Sequence, residues 1–147
     1  MEEIIHHDFK IGFPDGWMDL STVILGGPTE QRFRPSITIT RERLNSPMNA
    51  EQYAIVQLPG LQQEFAPYNY EVLEEGPTVV GSMPCFQRFH VFNSPDGNGR
   101  VKQWQVYAVI GNDAITITCT HGEEHFEKAR GTFEEAISRF SLVREGE

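Results

Sequence analysis

The sequence predicts an α+β domain, an antiparallel β-sheet carrying two main helices, and three observations lead there. Apolar and polar residues alternate through SITIT (36–40), VKQWQVYAVI (101–110) and ITITCT (115–120), the two-residue period of strands with unlike faces. Stretches rich in turn formers, NSPDGNG and GND, sit between consecutive strand candidates and read as hairpin connections. The chain closes on Phe126, Ala129, Phe133, Ile137 and Phe140, spaced along one face of a helix with acids opposite. At 147 residues the chain is long enough for one domain, 1–147, with a real core.

The elements follow in order. His6-His7 belongs to a frayed, solvated terminus. DFKIGFPDGWMDLSTVIL reads as strand, turn, strand and opens a β-meander: Phe9, Ile11 and Phe13 alternate, Pro14-Asp15-Gly16 is turn chemistry, and STVIL is β-branched. Gly26-Gly27-Pro28 breaks that run before SITIT, whose Ile37 and Ile39 point to the core while Ser36, Thr38 and Thr40 point away. Asn49 is a good N-cap for a helix through AEQYAIVQLPGLQQEF. Tyr53, Val56 or Ile55, Leu61 and Phe65 supply its stripe, and Pro59-Gly60 is expected to kink or split it. Four strands then follow, at 70–75, 85–92, 101–110 and 115–120, before the closing helix in 123–140.

A formal net charge of -9, with acids spread along the chain, argues against nucleic acid or an anionic membrane surface as partner. Arg32, Arg34, Arg41 and Arg43 form the one basic cluster. The N-terminus begins with acids and lacks the pattern of a secretory signal, and no apolar run is long enough to span a bilayer. A soluble, cytoplasmic protein without direct membrane insertion is expected. Cys85 and Cys119 lie in apolar strands and are read as reduced, buried thiols, with a bridge between them left open.

HGEEH (121–125) fits the H-x-x-E-H spacing of inverted zinc proteases through His121, Glu124 and His125. Zinc chemistry of that kind needs both histidines on one face of a continuous helix, whereas here Gly122 precedes the helix start. His90, between Phe89 and Val91, reads as a hydrogen-bonded sheet histidine. No nucleophile elbow, phosphate loop or dinucleotide-binding turn occurs, and the expectation is no enzyme, no metal and no cofactor.

Phe13-Pro14-Asp15-Gly16-Trp17 with Asp19, Ile39-Thr40-Arg41-Glu42, and the closing segment through Phe126, Ala129, Phe133 and Phe140 resemble the DcrB-related family over nearly the whole chain. Within it, the chain is most similar to the small Eag-type chaperones of bacterial type VI secretion. The resemblance implies a PsbP-like α/β/α sandwich, a homodimer, no enzymatic activity, and a groove that shields the hydrophobic N-terminal transmembrane segments of a secreted effector before export. It places Ser36, Thr38 and Thr40 on the groove face, Gln57 and Leu61 on the groove-side helix, and Gln103 or Gln105 on the long strand. Val23 and Leu25 are assigned to the groove from STVIL, Thr22 and Ile24 taking their place if the register slips by one residue.

The residues support a groove on their own terms. With Trp104, Val106, Ala108 and Ile110 on one face of the long strand, Gln103, Gln105 and Tyr107 join the Ser and Thr rows on the other. Such a face is neutral and rich in short hydrogen-bonding groups, which let a guest helix approach closely and satisfy its polar atoms. A solvated sheet surface would also accept threonine, a good strand former. The alternative function is a stand-alone PsbP-like binding module for a folded soluble protein, engaging it through Arg34 and Arg41.

Overall fold

The computed structural model describes residues 2–6, 9–17, 22–29 and 33–142. Strands β3 (Val23–Gly26), β4 (Ser36–Arg43), β5 (Glu71–Val80), β6 (Met83–Asn93), β7 (Arg100–Ile110) and β8 (Asp113–Gly122) form one sheet in the order β3-β4-β8-β7-β6-β5. Every neighbouring pair is antiparallel. Helix α1 (Ala50–Phe65) packs on β6 and β7, and α2 (Glu123–Ser138) packs on β7 and β8. The antiparallel α+β architecture with two helices is as the sequence predicts.

The helices take opposite faces. On the α2 side, Phe126, Phe133 and Ile137 sink into a core with Phe89, Trp104, Val106, Ile117 and Cys119, and Ile37 and Ile39 pack at its margin. Lys102 and Arg130 lay their charges over these rings, at 5.0 Å from Phe126 and from Phe89 respectively. On the α1 side a smaller core joins Ala50, Tyr53 and Ala54 to Phe86, Tyr107 and Ala114. Cys85 and Cys119 lie on β6 and β8, which are separated by β7, and four positions apart in register. That is roughly 16 Å at ordinary strand dimensions, far beyond the Cα separation of a disulfide.

Three sequence expectations change. Phe9–Phe13 (β2) pairs with Glu2–His6 (β1) in a separate two-stranded sheet, so the N-terminus is a strand partner rather than frayed, and β2 does not open a meander with β3. Asp19, Ser21, His7 and Arg32 lie outside the described residues. Strand β5 runs on to Val80 through Gly76-Pro77, with a register shift at Leu73; proline is tolerated because β5 is an edge strand. Helix α1 is a single helix through Pro59, so the proline does not split it; a capping box at Asn49 opens it and a 3-10 turn at Ala66–Tyr68 follows. Its buried side is Ala50, Tyr53 and Ala54, while Ile55 and Val56 are both exposed. Arg34 precedes β4 while Arg41 and Arg43 lie in its second half, so the basic residues bracket that strand as the sequence implies.

Candidate functional site

Antiparallel register aligns residues into rows across the α1-side face. One row runs Ser36, Thr120, Gln103, His90. The next runs Ile24, Thr38, Thr118, Gln105, Arg88, Glu75, and the third Thr40, Thr116, Tyr107, Phe86. The alternation seen in the sequence thus becomes a two-dimensional patch of hydroxyls and amides. Because α1 packs on β6 and β7, the hydroxyl-bearing half of this face lies beside the helix rather than beneath it. A cleft of about 380 Å³ opens there, walled by Tyr53, Gln57 and Leu61 of α1 and floored by Thr40, Thr116, Thr118 and Gln105.

Seven of the nine predicted residues are on this face or its helical wall: Ser36, Thr38, Thr40, Gln57, Leu61, Gln103 and Gln105. Val23 and Leu25 are not. Val23 pairs with Ile39 and Leu25 with Ile37, which puts both on the α2 side, and it is Ile24, opposite Thr38, that shares the α1-side face. STVIL is apolar on both faces, so its pattern carries no register information. Leu25 instead lines an apolar hollow of about 320 Å³ with Pro28, Pro35, Ile37 and Phe133.

Behind the floor lies a buried polar network. Arg88, almost inaccessible to solvent, donates through Nε to Glu75 at 3.0 Å, through Nη1 to the Tyr107 hydroxyl at 2.9 Å and through Nη2 to the Ala54 carbonyl of α1 at 3.0 Å. Tyr107 donates to Gln105 Oε1, and Gln105 Nε2 donates to Thr118 Oγ1 at 3.3 Å. One row along, Gln103 Nε2 donates to Thr120 Oγ1 at 3.1 Å, and its Oε1 accepts from His90 Nε2 at 2.7 Å. His90 Nδ1 therefore accepts from the Tyr70 hydroxyl, 2.9 Å away. Burial lowers the His90 pKa to about 4, assisted by the nearby Arg88 charge and opposed by the Gln103 hydrogen bond, so the ring is neutral near pH 7. At the cleft rim Tyr53 donates to Glu42 at 2.6 Å, and burial with that carboxylate pushes the phenol well above its usual range. The sequence signal for the network was Arg88 itself, a lone cation in the aromatic run CFQRFHVF.

Cys85, Cys119, His121 and His125 are all buried. Burial pushes the Cys119 thiol up to about 12, which removes the thiolate at neutral pH. His121 ends β8 while His125 is in the first turn of α2, with ring centroids 5.5 Å apart, so the HGEEH string is split between strand and helix. Among the described residues no group of three or more His, Cys, Asp or Glu side chains is placed to hold a metal, and no helix is long and apolar enough to cross a membrane.

No curated protein matches the sequence. Among solved structures, the crystal structure of PA94, a protein of unknown function from Pseudomonas aeruginosa, superposes with a TM-score of 0.79 over 98% of both chains at 14% identity. The solution structure of PsbP (CyanoP) from Synechocystis sp. PCC 6803 superposes with a TM-score of 0.59, over 91% of this chain and 86% of its own, at 8% identity. At such identities the likeness is one of fold, which is PsbP-like. The DcrB family pattern matches residues 9–139, through both helices and all six strands of the main sheet, and the chain belongs to the DcrB family.

Proposed function

We propose that this protein is a non-catalytic, cytoplasmic, homodimeric chaperone that binds the hydrophobic N-terminal transmembrane segments of a type VI secretion effector and shields them before export. The observation that carries this reading is the half-covered sheet face, where α1 walls one side of a cleft floored by Thr40, Thr116 and Thr118, and the hydroxyl rows continue past it through Thr38, Ser36 and Thr120. From β8 across β4 to β3 is two interstrand spacings, about 10 Å, comparable to the diameter of one α-helix. Ile24, exposed on β3 opposite Thr38, gives that floor an apolar margin. Short hydroxyls allow close backbone approach, as small residues do between membrane helices, and the amides behind them satisfy polar atoms that aliphatics would strand. The net charge of -9 keeps a loaded complex in solution.

Co-expression with a tagged effector N-terminal segment tests the reading. The chaperone is expected to retain the segment in the soluble fraction, and light scattering to show a dimer. Thr38→Glu or Gln57→Glu, each placing a charge against an apolar guest, is expected to abolish capture while the protein stays folded. Undiminished capture by both variants refutes the cleft as the binding site.

A further inference from the structure

The network behind the cleft has a direction, and the direction says what kind of helix the cleft prefers. A guanidinium has only donors, so the Tyr107 oxygen must accept from Arg88, 2.9 Å away. The one Tyr107 proton then goes to Gln105, which must turn its Oε1 toward it. That orientation fixes the Gln105 NH2 on the other side, where it donates to Thr118 Oγ1 at 3.3 Å. Thr118 thus receives a hydrogen bond from behind, and its own hydroxyl proton is left for the cleft it lines. The order cannot reverse while Arg88 stays in place, and Arg88 is held by Glu75 on β5 and the Ala54 carbonyl of α1, each at 3.0 Å. A cation at the head of such a chain polarises every bond along it and makes the last hydroxyl a better donor.

We propose that the cleft floor is a polarised hydrogen-bond donor, selecting apolar helices that carry an exposed acceptor near their middle: a backbone carbonyl freed by proline, or an Asn, Ser or Thr side-chain oxygen. Arg88, Tyr107 and Gln105 are positioning residues that set this polarity through Thr118. The proposal rests on the reading that the cleft receives an apolar helical segment. A helix whose carbonyls are all paired internally buries the Thr118 donor without a partner, and that loss is worth about tenfold in binding.

The test uses the full-length protein and two 20-residue Leu/Ala segments fused to a soluble carrier, identical except for a central proline, which frees a carbonyl and adds no donor. In competition for the wild-type protein the proline segment is expected to win about tenfold. Thr118→Val, close to isosteric, and Tyr107→Phe are each expected to bring the ratio near one while still capturing the all-Leu/Ala segment; Thr118→Ser is expected to restore it. Equal capture of the two segments by wild-type protein overturns the polarity proposal alone. So does a preference that survives both Thr118→Val and Tyr107→Phe. Capture of neither segment by the wild-type protein overturns the helix-binding reading and this proposal with it.

Discussion

Lowering the pH is expected to weaken this fold through His90, and the size of the effect follows from its surroundings. The imidazole is fully buried between Tyr70 and Gln103, with a folded-state pKa of about 4 against an ordinary value of about 6.5. Between those values the unfolded chain binds a proton that the folded one refuses, so stability falls as pH falls. The contribution is fully present above about pH 6.5 and is progressively lost toward about pH 4, at about 1.4 kcal/mol per pH unit. By pH 4.5 the accumulated loss is about 2.5 kcal/mol. The measurement is a difference of differences, so that contributions common to both proteins cancel. Urea unfolding of wild type and His90→Gln at pH 7.5 and pH 4.5 should show the wild type losing about 2.5 kcal/mol more than the variant across that interval. Parallel losses in the two proteins would refute the assignment of a neutral, proton-resistant His90.

Two glycines should respond in opposite directions. A Cβ on Gly122 would come within 2.6 Å of the Phe33 ring, so Gly122→Ala is expected to cost about 1–3 kcal/mol of unfolding free energy. Gly131, on the exposed side of α2, has nothing within 4 Å of an added Cβ; Gly131→Ala should stabilise by up to about 1 kcal/mol, read as a raised denaturation midpoint. Phe126, fully buried against Phe89 and Phe133 with ring centroids at 6.4 and 5.5 Å, should cost about 3–5 kcal/mol when replaced by alanine, measured by urea unfolding.

The parts of the fold that were legible in sequence are those where one face is dry and the other is not. SITIT, VKQWQVYAVI and ITITCT kept both their register and their faces, because burying Ile37, Val106 and Ile117 leaves no choice for Thr38, Gln105 and Thr118. The stripe of α2 was readable for the same reason. STVIL was not, since a short edge strand that is apolar on both sides can slip without changing its pattern, and only pairing with β4 puts Ile24 rather than Val23 on the α1-side face. In α1 the small residues Ala50 and Ala54 make the close approach to the sheet, while Ile55 and Val56, which look like core, stay outside. Arg88 could be noticed in the sequence as an anomaly. Its role needed three-dimensional contacts to three different elements, which no local pattern encodes.

Arg88 grips α1 by the carbonyl of Ala54, a group every residue type supplies, and not by a side chain. The distance between the wall and the floor of the cleft is therefore insulated from substitutions on the helix surface. Gln57 and Leu61 can be exchanged without moving the helix that bears them, so binding preference can be retuned residue by residue on a frame of constant width. Selection can then act on which guest is held without first having to re-solve the fold.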